Sequence, residues 1–325
     1  MRYRPVGTSG LMVSVVGLGA NNVGGRLDLE ATRAVVHAAL DAGITLIDTA
    51  DSYPPFGGQH RGDSEVFIGR VLADAGSSVR DRVIIATKFG GSTDGANGPD
   101  WGARGGRRYI RQAVDASLRR LQTEWIDLYQ YHRPDGITPL AETLSALDDL
   151  VRAGKVRYAG SSNLAAWQVG EAAWLARTEG WTPFVSAQNH YSLLERGIER
   201  ELVPACLHYG VGIIPYFPLA NGLLTGKYRR GEPSPPGSRL AGREGAIAEL
   251  DLDRVEALES YAAERGLGVV DVAVGGLAAQ PGVASVIAGA TSPTQVMVNA
   301  AAAAWEPTSE DLVALDGIVP PSRRG

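Results

Sequence analysis

The strongest constraint on what this chain can fold into is an alternation of two kinds of segment. Short β-branched runs lie at 14–19, 45–49, 83–88, 126–131, 156–160, 184–188, 212–216 and 285–288. Longer stretches with apolar residues at three- and four-residue spacing fill the gaps, at about 29–42, 64–75, 107–121, 139–153, 165–179 and 199–209. Two more, 251–265 and 270–279, precede the last run, and 293–304 follows it. Ser64-Glu65 and Pro139 open helices, and Gly43, Gly154, Gly210 and Gly266 stand just past helix ends, where the backbone turns left-handed. Eight β-then-α units predict parallel strands joined by crossover helices, and eight strands close a barrel. The expected fold is α/β, a (β/α)8 TIM barrel, as one domain over residues 1–325.

The segment before the first barrel strand reads differently. A turn at Thr8-Ser9-Gly10 between two short apolar runs predicts a β-hairpin that closes the bottom of the barrel. Two long loops, 89–106 and 219–250, follow the third and seventh strands on the face where barrel enzymes build their sites. The tail 317–325 is expected to be mobile.

Composition narrows the function. The formal net charge is −5, with both signs scattered, so a nucleic-acid partner is not expected. No apolar run approaches the roughly 18 residues of a membrane span, and Arg2 and Arg4 occupy the place where a signal peptide would become apolar. The single cysteine, Cys206, falls in an apolar helix pattern and reads as a buried hydrophobe. These features predict a cytoplasmic protein without a disulfide framework. No His/Cys/Asp cluster has metal-ligand spacing, so no metal is expected. Of 31 basic side chains only three are lysines, Lys88, Lys155 and Lys227, so a lysine here is more often required than in a lysine-rich chain.

Four polar residues stand at or just past the C-terminal ends of three neighbouring strands. Asp48 ends the second, Tyr53 lies in the loop after it, Lys88 ends the third and His132 follows the fourth. A strand-end Asp or His is more often a cap or a satisfied core group, but independent caps need not choose adjacent strands. A tyrosine of ordinary pKa, about 10, is a poor acid at neutral pH. An adjacent ammonium is expected to lower that value, and a carboxylate is expected to keep the ammonium charged. A general acid aimed at a carbonyl oxygen results, with His132 donating to that oxygen or sharing its proton. His37, His60 and His208 read as packing or solvated, and His190 as a marginal pocket residue.

No dinucleotide fingerprint is complete: Gly17-Leu18-Gly19-Ala20-Asn21-Asn22 comes closest and ends in Asn. Gly222 to Lys227 is one residue short of a P-loop. The alternative is a barrel phosphate site, with Lys227 and Arg239 in the loop after the seventh strand and the capped turn Gly289-Ala290-Thr291-Ser292-Pro293 after the eighth.

With these residues in view, the chain resembles the aldo-keto reductase superfamily from Tyr3 to about Leu315. The motifs are Asp48-Thr49-Ala50-Asp51-Ser52-Tyr53, Ala86-Thr87-Lys88-Phe89-Gly90, Ile126 to His132, and Gly154 to Asn163. The resemblance implies that Asp48, Tyr53, Lys88 and His132 form a catalytic tetrad. It implies that Ser162, Asn163 and Gln188 hold a nicotinamide carboxamide while Tyr216 stacks on the ring. Leu219, Gly222 and Lys227 match the pyrophosphate belt. Ser238, Arg239, Thr291 and Gln295, with Gly289 at the turn, match the surroundings of the 2′-phosphate, and Asn299 matches an adenine contact. Phe217 replaces a serine usual before Pro-Leu, and Val298 stands where an acidic adenine contact is common.

The resemblance thus implies an NADPH-dependent reduction of an aldehyde or ketone, NADH being the possible substitute. Three other readings compete. The same tetrad run backwards makes an NAD(P)-dependent aldose or alcohol dehydrogenase. Relatives of this kind also serve as non-catalytic, cofactor-sensing regulatory subunits of potassium channels, often without the histidine found here at His132. Lys88 as a Schiff-base nucleophile is opposed by Asp48, which would keep it charged. The loops 53–63, 89–106 and 219–250 are expected to shape the substrate pocket, with Phe89 and Trp101 contributing, and the aromatic content near the rim points to an apolar or aromatic aldehyde. The sequence carries no sign of oligomeric state.

Overall fold

The computed structural model describes residues 1–54, 58–238, 240–241 and 252–321. Its strands are β1 (Tyr3–Pro5), β2 (Met12–Ser14), β3 (Val16–Gly19), β4 (Leu46–Asp48), β5 (Ile84–Phe89), β6 (Ile126–Tyr131), β7 (Val156–Ser162), β8 (Phe184–Gln188), β9 (Gly212–Ile213) and β10 (Val286–Gly289). β3 to β10 form one parallel sheet in the order β10-β3-β4-β5-β6-β7-β8-β9. The remaining seam is closed by single bridges, Ile213 to Val283 and Tyr216 to Ile287, and by the Ile287 amide donating to the Pro215 carbonyl at 3.0 Å. The fold is a (β/α)8 TIM barrel.

The seventh barrel strand is shorter than its 212–216 pattern. Pro215 has no N–H to donate, so ladder pairing stops after Ile213 and resumes as isolated bridges. Helices fall within a few residues of their patterns, from Leu29–Asp41 to Pro293–Ala301. Gly43, Gly154, Gly210 and Gly266 all have positive φ. Ser64 sits one residue inside its helix, and its hydroxyl bonds the Ala20 carbonyl and Thr49 instead of capping.

β1 and β2 pair antiparallel and close the floor. Val6, Leu11 and Val13 pack against Leu46, Ala86, Leu128 and Ile214 inside the barrel. Gly7 is required there: its φ is +57°, and a Cβ would lie 2.2 Å from the Gly210 carbonyl oxygen. A larger core lies between the sheet and the helices, built from residues such as Val36, Ile68, Ile110, Leu147 and Cys206. Cys206 is fully buried, and burial pushes its thiol up to about 12.

The first residues of the expected mobile tail, 317–319, are packed onto the fold. Residues Ser309–Ile318 form a helix opened by a reciprocal cap between Thr308 and Asp311. Val319 is buried, and its carbonyl accepts from Arg196 at 2.6 Å. Residues 322–325 lie outside the described residues.

Candidate active site

Strand pleat and register place the four central side chains. Parallel pairing sets Asp48 opposite Ala86 and Lys88 opposite Gln130, so these strand ends form one rim. Lys88 is fully buried, while Phe89, the next residue along β5, turns to the other face and packs between Tyr129 and Tyr131. Lys88 Nζ donates to Asp48 Oδ2 at 2.6 Å and to the Thr49 carbonyl at 2.8 Å. The other oxygen of Asp48 accepts from Gln188 at 2.8 Å and Gln130 at 3.2 Å. Removing either member of this buried pair would strand the other, a loss of about 3–5 kcal/mol.

The Tyr53 ring lies over that pair, its centre 5.0 Å from Lys88 Nζ. His132 meets the ring edge-on at 5.9 Å between centroids, and its Nδ1 is 3.4 Å from the Ser52 hydroxyl. Tyr53, His132 and Asp48 all line a cleft of about 970 Å³ that runs from the loops after β4, β5 and β6 to those after β9 and β10.

The electrostatics differ in part from expectation. Burial is the largest single influence and would drive Lys88 down, but the charges and hydrogen bonds of Asp48 and Tyr53 together outweigh it, so the ammonium is held charged. Burial pushes the Tyr53 phenol above its usual value, and the Lys88 charge pulls it back without cancelling the rise. The expectation of a lowered resting pKa is therefore corrected. Desolvation, aided by the charges of Lys88 and Arg133, takes His132 down to about 3. His132 is thus a neutral ring that donates one hydrogen bond and carries no spare proton.

A buried polar layer fixes the loop carrying Tyr53, and the sequence reading missed it. Asp51 accepts from Asn97 at 2.7 Å, Arg120 reaches Asn97 at 2.9 Å and Glu65 at 2.7 Å, and Thr87 donates to Glu65 at 2.6 Å. Burial, reinforced by the Glu65 charge, raises Asp51 well above the usual carboxylate range. Asp51 lies inside the first motif and could have been found there. Arg120, more than fifty residues away on a helix, carried no local signal.

Further along the cleft stand the residues matched to a nucleotide. Ser162, Asn163, Gln188, Tyr216, Phe217, Leu219, Gly222, Lys227, Ser238, Gly289, Thr291, Gln295 and Asn299 all line it. Arg239 lies outside the described residues, as do 55–57 of the loop after Tyr53. Tyr216 donates to Asn163 Oδ1 at 2.8 Å, and Asn163 Nδ2 donates to the His132 carbonyl at 3.0 Å. His190 stacks on Tyr216 at 5.5 Å with a 7° tilt, which fixes the ring without His190 entering the cleft. Asn163, Phe217, Ala220 and Asn221 have positive φ without being glycine, and such strain concentrates where a scaffold holds a ligand loop. At the far end Ser292 caps the helix Pro293–Ala301, and Thr291 bonds Gln295 at 2.8 Å. Among the described residues the buried Ser238 hydroxyl has no hydrogen-bond partner.

Two expected pocket residues are not there. Phe89 packs in the helix layer, and Trp101 is 71% exposed beneath the Arg108 guanidinium. Neither lines the cleft, whose substrate end is instead polar, with Ser52, Arg61, Ser92 and Arg133. Arg133 directly follows His132 and was legible in the sequence but was passed over.

Comparison with known proteins agrees with this geometry. The model of the aldo/keto reductase family matches residues 15–320. The chain is 36% identical over 310 residues to L-glyceraldehyde 3-phosphate reductase of Escherichia coli, covering 92% of this chain and 86% of that protein. It is 36% identical over 300 residues to versiconal hemiacetal acetate reductase of Aspergillus parasiticus, covering 84% of each. A probable voltage-gated potassium channel subunit beta of Oryza sativa is 33% identical over 309 residues, 92% of this chain and 90% of its own length. The chain is an oxidoreductase that belongs to the aldo/keto reductase family.

Proposed function

We propose that this protein, acting as one barrel over its 325 residues, reduces an aldehyde or ketone to an alcohol with NADPH, Tyr53 giving the proton. The buried Asp48–Lys88 pair beneath the Tyr53 ring, at the mouth of the cleft, carries this reading.

A bound nicotinamide would supply hydride. The protein's own groups do the rest. Ser162, Asn163 and Gln188 would hold the carboxamide, and Tyr216, backed by His190, would lie against the ring. Leu219, Gly222 and Lys227 would line the pyrophosphate. Ser238, Thr291 and Gln295, with Arg239, would surround a 2′-phosphate, and Asn299 would meet the adenine. The unpartnered Ser238 hydroxyl and the Ser292-capped helix start fit an anionic group there. His132, neutral, donates to the carbonyl oxygen and aims it at the Tyr53 hydroxyl. As negative charge grows on that oxygen, the phenol releases its proton to it. The phenolate left behind faces the Lys88 ammonium, an interaction stronger after transfer than before, so it lowers the barrier. Asp48 keeps Lys88 charged and still.

The test is consumption of NADPH and of NADH, read at the nicotinamide absorbance band, with a panel of neutral and anionic aldehydes and ketones. Turnover with NADPH exceeding that with NADH is expected; failure with every carbonyl sinks the reading. The relatives described as channel subunits support a second reading, a cofactor-binding regulatory role, and the same assay separates them: that role predicts tight NADPH binding with negligible turnover.

A further inference from the structure

We infer that the preferred carbonyl substrate carries an anionic group, a carboxylate or phosphate, and that Arg133 receives it. This rests on the reductase reading above and adds the substrate's charge.

Arg133 is the residue after His132 and lines the cleft beside Tyr53. Its base is fixed: the His132 amide donates to the Phe89 carbonyl at 2.7 Å, and a Cβ on Gly90 would come within 3.3 Å of the Arg133 carbonyl oxygen. Its charge is felt at Tyr53, His132 and Tyr216, which follow three different strands.

Among the described residues no carboxylate pairs with Arg133. Arg61, which also lines the cleft, is already engaged by Asp94 at 2.8 Å and by the Ser52 carbonyl at 3.0 Å. Among the described residues lining the cleft the sole carboxylate, Asp48, is committed to Lys88. An uncompensated guanidinium is thus built into a chain of net charge −5. The phosphates of a nucleotide do not account for it. They would lie near Lys227 and the helix opening at Pro293, whereas Arg133 directly follows His132 in the loop after β6. A planar guanidinium fits a carboxylate or phosphate with two parallel hydrogen bonds. Arg133 is exposed at the edge of the cleft, so an anionic substrate gains this pair and displaces water from it, while a neutral carbonyl gains nothing there.

The experiment compares matched pairs: 4-carboxybenzaldehyde against methyl 4-formylbenzoate, and glyceraldehyde 3-phosphate against glyceraldehyde. Each is assayed with the wild type, Arg133→Gln and Arg133→Lys. In the glutamine variant the ratio of kcat/KM, anionic over neutral, should fall about 10- to 100-fold in at least one pair, chiefly through KM. The lysine variant should recover part of it. The pair that responds tells carboxylate from phosphate. Equal losses for charged and neutral members, or an unchanged ratio in both pairs, overturns the inference. Calorimetric binding of benzoate and of inorganic phosphate, in saturating NADP+, gives a readout without turnover. If no carbonyl reacts at all, the reductase reading falls, and the anion inference then stands or falls on whether Arg133→Gln weakens that binding by about tenfold.

Discussion

At the scale of single residues, the site separates three tasks that one ionisable group cannot perform together. The proton source must hold its proton until it is needed, the charge that stabilises its loss must be permanent, and the orienting donor must not titrate. Burial keeps the Tyr53 phenol protonated, Asp48 keeps Lys88 charged, and desolvation keeps His132 neutral. The last has a consequence for stability. An unfolded histidine takes up a proton near pH 6.5, whereas His132 in the folded chain does so only near 3. Between those values the unfolded state binds more protons, so stability contributed by His132 is present above about pH 6.5 and is lost as pH falls toward 3. Unfolding by urea at pH 7.5 and pH 5 should show a smaller pH difference in His132→Gln than in the wild type. An identical difference would mean that His132 titrates normally. The tetrad was legible in sequence because its members stand at or just past strand ends, and strand ends can be read from hydrophobic runs. The supporting layer of Asp51, Asn97, Glu65 and Arg120 was not, since its members meet only through packing of a helix against a loop.

At the scale of elements, the helix Asp63–Ala75 shows where local propensity yields to packing. Gly69 is buried in its middle, and helix propensity alone would favour Gly69→Ala by about 1 kcal/mol. Yet a Cβ there would stand 2.4 Å from the Arg120 carbonyl oxygen and 2.7 Å from Leu121 backbone atoms, with no side chain able to move aside. The two helices would have to separate, and Arg120, which holds Glu65 and Asn97 behind the Tyr53 loop, would move with them. Gly69→Ala should therefore destabilise the fold by roughly 1–3 kcal/mol and lower kcat as well. A denaturant midpoint equal to or above the wild type would contradict the packing argument. The same contrast explains which elements the sequence disclosed. Long amphipathic helices and the eight strand runs follow from periodicity. The closing helix Ser309–Ile318 has no strong apolar face and is held by a cap and by Leu315, so periodicity passed over it although Thr308 and Asp311 stood at capping spacing.

At the scale of the whole molecule, an acidic chain presents a cationic cleft. The net charge is −5, while among the described residues Arg26, Arg61, Arg133 and Lys227 line the cleft against one carboxylate already paired. Such an arrangement concentrates anions at the mouth and excludes them elsewhere, and the effect fades as the screening length shrinks below about 10 Å above 0.1 M salt. The second-order rate of NADPH association should fall several-fold between about 0.05 and 0.3 M NaCl; a rate independent of salt would remove steering from the account. The barrel itself was readable from eight repeats. The cleft's charge was not, because it depends on which arginines of a scattered set face inward. The central claim is the role of the phenol above the buried ion pair, and Tyr53→Phe tests it most directly. Single-turnover reduction of a neutral aldehyde, measured alongside NADPH affinity by fluorescence, should slow by about 100-fold or more with the dissociation constant nearly unchanged. Undiminished turnover in that variant would contradict the account.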